Sequence, residues 1–118
     1  MIGTKFTLAF HVPGTLAANL TMAWTAQADC QLIHVSASGS NTNNGILDIG
    51  NSSDADIYLD GVDIGDGGTP AEFVQANFVG SQFPHIAKGT VVTLALDYDG
   101  AGGTATHDFT VVLTFTEG

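Results

Sequence analysis

Positive charge is nearly missing from this chain. There is no arginine, and Lys5 and Lys88 are the only lysines, set against 12 acidic residues for a net charge of -10. Nucleic-acid binding draws on Lys and Arg contacts to phosphate, so no such surface can be built here. An anionic membrane surface is excluded for the same reason. Cys30 is the one cysteine, which rules out an internal disulfide. The apolar runs are only a few residues long, too short to span a bilayer as a helix. The opening Met1-Ile-Gly-Thr-Lys-Phe lacks the apolar stretch and cleavage site of a signal peptide, so no export is expected.

What is present points to strands. Glycine is frequent at 15 residues, and 44% of the chain is hydrophobic, too much for disorder. Thr and Val are common, whereas the Lys, Arg and Glu that coat helix surfaces are scarce. Alternation with period two recurs along the chain. In Thr4–Val12, Phe6, Leu8, Phe10 and Val12 share a face. In Thr15–Thr25, Leu16, Ala18, Leu20, Met22 and Trp24 do so. Cys30–Ser38 reads as a third strand with Ile33, Val35 and Ala37 inward, and Ile46–Ile49 as a short fourth. Asp54–Leu59 reads as a fifth with Ala55, Ile57 and Leu59 on one side. Glu72–Val79 is weaker and carries an irregular turn. Thr90–Tyr98 has Val92, Leu94, Leu96 and Tyr98 in phase. Ala105–Glu117 has Ala105, His107, Phe109, Val111, Leu113 and Phe115 in phase. Asp60-Gly61, Asp66-Gly67 and Asp99-Gly100 mark turns, and Asn41–Gly45 marks a loop tip. With 118 residues and no linker or repeat, the chain reads as one domain, 1–118. The expected fold is all-β, an antiparallel β-sandwich of about eight strands, of jelly-roll type. The expected core is Phe6, Leu8, Phe10, Leu20, Met22, Trp24, Ile33, Val35, Ile57, Leu94, Leu96, Phe109, Val111, Leu113 and Phe115.

Catalytic patterns are lacking. Asp54, Asp56, Asp60, Asp63 and Asp66 crowd one segment, and clustered carboxylates are calcium chemistry. Their register does not fit an EF-hand loop, and Asp is a turn former in its own right, so solvated turns are the first reading and calcium the second. His11, His34, His85 and His107 are scattered, with no His-x-His pair and no metal-ligand spacing. There is no Gly-x-Ser-x-Gly elbow, and Cys30 within a strand reads as a small buried hydrophobe. The expectation is therefore no catalytic residue, no cofactor and no metal. Glycan binding by stacking on aromatics is the alternative from another class. Trp24 and Tyr98 are in phase with the core, which leaves Tyr58 as the free ring.

Several stretches together carry a resemblance. They are Phe10-His-Val-Pro-Gly-Thr-Leu-Ala-Ala-Asn-Leu-Thr-Met-Ala-Trp24, Asp29-Cys30, Leu32 to Ser38, Asp54-Ala-Asp56 with Tyr58-Leu59, Phe83-Pro-His-Ile-Ala-Lys-Gly-Thr90, and Leu96-Asp-Tyr-Asp-Gly-Ala-Gly-Gly-Thr-Ala105 with the closing strand. In this texture the chain resembles the small jelly-roll capsid decoration (cement) and virion surface proteins of tailed bacteriophages. The resemblance implies a non-enzymatic structural protein on the outside of a phage head. Its partners would be the major capsid protein and further copies of itself, with a homotrimer as first expectation. It would be made in the host cytoplasm and would hold neither nucleic acid nor membrane. The alternative within the resemblance is a glycan-binding tail or receptor-side module. Apolar or neutral residues at outward positions, Ala9, Ala17, Ala23, Val91 and Val112, suit protein–protein contact.

Overall fold

The computed structural model describes residues 4–100 and 102–118. Nine strands lie among them: β1 (Lys5–Thr15), β2 (Leu20–Thr25), β3 (Cys30–Ser38), β4 (Ile46–Asn51), β5 (Leu59–Asp63), β6 (Ala71–Phe73), β7 (His85–Ile86), β8 (Val91–Asp97) and β9 (His107–Glu117). One sheet has the order β1-β9-β3-β6, with β7 also on β3, and the other has β2-β8-β4-β5. All strand pairings are antiparallel. The pairing is nested. β1 meets β9, β2 meets β8, β3 meets β6, and β4 meets β5, so the chain forms one long ribbon folded at the β4–β5 hairpin. Contacts of β9 with β3 and of β8 with β4 then roll that ribbon into two facing sheets. With the two-residue β7 set aside, this is the eight-stranded jelly roll. No described helix is long and apolar enough to cross a membrane.

The core lies where the two central strands face each other. Phe109, Val111, Leu113 and Phe115 of β9 are buried, and so are Val92, Leu94 and Leu96 of β8. Strand alternation dictates this arrangement, because every second side chain meets the opposite sheet. Leu32, Val35, Leu47, Ile49, Leu59 and Ile86 complete the interior.

Four sequence expectations need correction. Ile33 is only half-buried, and Leu32 takes the core position. The register of β3 on β9 slips between Leu32 and His34, a bulge that reverses the parity ahead of Val35. Residues 54–58 form a turn and not a strand, Ile57 is exposed, and of the expected segment Asp54–Leu59 only Leu59 is in a strand, where it is buried. There Asn51 Oδ1 accepts the N–H groups of Ser53 and Asp54 at 2.9 and 2.8 Å, which curls the chain before β5 begins at Leu59. Thr15–Asn19 does not belong to the second strand. β1 runs on to Thr15 through a register shift beyond Val12, Ala18 is exposed, and β2 begins at Leu20. Finally, Ala105 and His107 do not lead the inward face of β9. Asp108 has φ 49°, which breaks the alternation and turns Thr106 into the core.

The outer strands also bury less than alternation alone implies. Leu8, Phe10, Leu20, Met22 and Trp24 are partly buried, and Phe6 is exposed. β1 and β2 each end a sheet, so one flank of their apolar residues has no neighbouring strand.

Candidate functional site

The geometry offers three places where function could reside. The first is the acidic segment. Of its five aspartates, Asp54, Asp56 and Asp60 come together, and Asp56 and Asp60 are joined by Asp48 from β4. Carboxylate oxygens of these three lie within 4.8 Å of one another. Asp48 was missed by sequence inspection because it comes from the neighbouring strand, across the β4–β5 pairing. Asp66 has a different task, accepting the backbone N–H of Asn43 at 3.1 Å. Offering one oxygen each, half-buried Asp48 and exposed Asp56 and Asp60 would supply three of the roughly six to eight oxygens that calcium takes.

Crowding in this segment shows in its acidity. A hydrogen bond to the Asp54 carboxyl, followed by repulsion from Asp60, pushes the Asp56 carboxyl up to about 6. The folded chain therefore holds this proton more tightly than the unfolded chain. The stabilisation is fully present below the ordinary carboxylate range and is lost as pH rises through about 6. Asp56→Asn is expected to melt higher than the wild type at pH ~7, the gap closing on acidification to pH ~4. Thermal melts across that range check it, and parallel curves for the two proteins would contradict the assignment.

The second place is a polar clasp at one end of the sandwich. Asn41–Gly45 is less a loop tip than a knot, and Asn43 is buried. Its amide donates to the carbonyls of Asn41 and Gly65 at 3.0 and 3.2 Å. Its Oδ1 accepts the Gly45 N–H at 2.8 Å and the buried Thr106 hydroxyl at 3.4 Å. Asn41 ties in the segment leading to β9, donating to the Ala105 carbonyl and accepting the His107 N–H. Nearby, Asp108 accepts from the Gly14 N–H and the Ser40 hydroxyl, both at 2.7 Å. These bonds favour the carboxylate and hold Asp108 below its ordinary value. Through these internal hydrogen bonds the clasp joins three loops.

The third place is a groove of about 430 Å³ along the flank where β1 and β2 lie. Phe6, Leu8, Phe10, Trp24, Cys30 and Phe115 line it. Phe6 stacks on Phe115 at 5.0 Å, and Phe10 meets Trp24 at 5.4 Å. Cys30 is buried at its floor, and that burial, with Asp29 and Glu117 adding repulsion, pushes the thiol up. A raised thiol pKa disfavours the thiolate, the nucleophilic form. Sequence parity placed Tyr58 as the free aromatic ring. Tyr58 is in fact buried, and half-buried Trp24 lines the groove beside the rings of Phe6, Phe10 and Phe115. Parity could not show this, because it does not say which strands end the sheets.

His11 and His107 both act on the Asp108 carboxylate, while His34 sits elsewhere on Glu72. His11 pairs with the Thr110 hydroxyl at 2.7 Å, His107 with the Thr15 hydroxyl at 3.1 Å, and His34 with Glu72 at 3.1 Å.

No protein-family model matches the chain, and no curated protein does. Among solved structures, the fold is similar to a chain of the cyanophage Pam1 capsid asymmetric unit, with TM-score 0.57 and 15% sequence identity. The match covers 99% of this chain and 87% of that one. At this identity it establishes a shared fold.

Proposed function

We propose that the chain is a non-enzymatic structural protein of a tailed-phage virion, a decoration protein seated on the outer surface of the head. The observation that carries this reading is the jelly roll itself, aligned over nearly its whole length with a chain from a phage capsid. The surface chemistry agrees with it. A net charge of -10 suits a position outside the shell, away from packaged nucleic acid. The apolar groove and the exposed Ala9, Ala17, Ala23 and Val91 offer packing rather than ion pairing. On this reading the protein is made in the host cytoplasm, assembles as a homotrimer and stabilises the shell by bridging copies of the major capsid protein.

The test is a titration onto capsids that lack the protein. Saturable binding is expected, with affinity changing little between low and moderate salt, since apolar and backbone contacts dominate. Binding that collapses with salt would point to charge pairing instead. Absence of saturable binding at every salt concentration would remove the decoration reading.

A further inference from the structure

The acidic residues are distributed unevenly along the chain, and the fold turns that into a distribution in space. No Asp or Glu precedes Asp29. The stretch before it contains β1 and β2, which end the two sheets on the same side and meet through Phe10 and Trp24. The opposite ends of the sheets are β5, with Asp60 and Asp63, and β6, with Glu72. One flank of the sandwich is therefore largely apolar, bordered by Asp108, which accepts from Gly14 of β1, and by Asp29 beside Cys30, while the other carries Asp60, Asp63 and Glu72. Among the described residues, Glu117, at one end of the groove, is the one carboxylate lining it.

The backbone of the same flank is open. The Glu117 N–H donates to the Thr4 carbonyl at 2.9 Å, which fixes the phase of the β1–β9 ladder. In an antiparallel ladder the hydrogen-bonded positions alternate. Phe6, Leu8, Phe10 and Val12 thus bond to β9, and Lys5, Thr7, Ala9 and His11 direct their N–H and C=O groups away from the sheet. Strand edges are usually protected by lysine, proline or inward charge. Between Phe6 and Val12, β1 has none of these.

From this we infer that the β1–β2 flank is where copies of this chain meet, the groove of one copy closed by the same flank of another. Charge selects the occupant. Each chain carries a net -10, so most faces of two copies repel when they touch. The β1–β2 flank is the surface that two copies can share while apposing few carboxylates. Self-contact there covers Phe6, closes the groove over Trp24 and leaves the acidic flanks pointing outward. This deepens the homo-oligomer reading above and rests on it; in the expected trimer three such flanks meet about the threefold axis, each touching both neighbours with different parts of the groove mouth.

The experiment uses the wild-type chain and two variants at exposed residues of the groove mouth, Thr25→Asp and Gln27→Glu. Mass in solution is followed against concentration and salt, with fluorescence of Trp24, the single tryptophan, as a second readout. The wild type should associate reversibly and more tightly at high salt, with Trp24 emission moving to shorter wavelength as the groove closes. Each variant should fold with an unchanged melting temperature as a monomer and associate at least about tenfold more weakly, because it sets like charges opposite each other. Asp63→Asn on the other flank should associate as well as the wild type or better. A wild type that stays monomeric at every concentration and salt overturns the inference, even if it binds capsids saturably and so leaves the decoration reading standing. Variants that associate normally but lose capsid binding overturn it as well, and they assign the groove to the shell.

Discussion

Truncating Phe109 to alanine is expected to destabilise the fold by ~3–5 kcal/mol. The ring is fully buried, on β9 at the middle of its sheet. β9 is held between β1 and β3, so the surrounding backbone has little freedom to collapse into the space left behind. Loss of transfer energy and loss of packing then add. Denaturant unfolding checks this, with the midpoint falling and the slope unchanged. A soluble variant with the wild-type midpoint would mean that the inward parity of β9 is wrong. Because parity is shared along a strand, Val111, Leu113 and Phe115 would fall with it.

The second large effect is expected at Asn43. Asn43→Ala leaves the buried Gly45 N–H and the buried Thr106 hydroxyl without their acceptor. Each such orphan costs about 1–3 kcal/mol. The two carbonyls that Asn43 serves lose less, since Asn41 and Gly65 also accept from the N–H groups of Gly67 and Gly39. Asn43→Asp separates the halves of the network. It keeps the acceptor but turns a carboxylate oxygen toward those carbonyls, so it should be unstable at neutral pH and recover on acidification. Melting curves of both variants against pH provide the check. Equal stability of Asn43→Ala and the wild type would show that the clasp contributes nothing.

These two residues also mark how far the sequence could be read. Phe109 was legible because the alternation from Phe109 to Phe115 is unbroken and its strand lies between two others, so parity and burial coincide. Asn43 was not legible. An Asn-rich stretch with glycine reads as a solvated loop, and only the approach of Gly65 and Thr106, distant in sequence, makes it interior. Ile33 and His107 failed for a different reason. A bulge at one and the positive φ of Asp108 beside the other shift the period by one, and neither leaves a mark that composition would show. Phe6 and Trp24 have the correct inward parity yet are incompletely covered, because the pattern does not say which strand ends a sheet. The groove, the feature with most bearing on function, was out of reach for that reason.

The nested pairing also sets an order of events in folding. β8 and β9 are central in their sheets, yet at Val91–Asp97 and His107–Glu117 they follow β1, β2, β3 and β4, the strands they pair with, in chain order. Until they have left the ribosome, β1 and β2 have no strand to pair with, and neither sheet can close. The β4–β5 hairpin is the most local of the nested pairings, and each of the others, β3 with β6, β2 with β8 and β1 with β9, closes a longer loop. Such non-local topology slows folding into the millisecond-to-second range. Through that interval the apolar strands β1 and β2 stand open in every unfinished chain. The excess negative charge, which in the folded protein limits where two copies can touch, then also keeps nascent chains apart while they wait for β8 and β9.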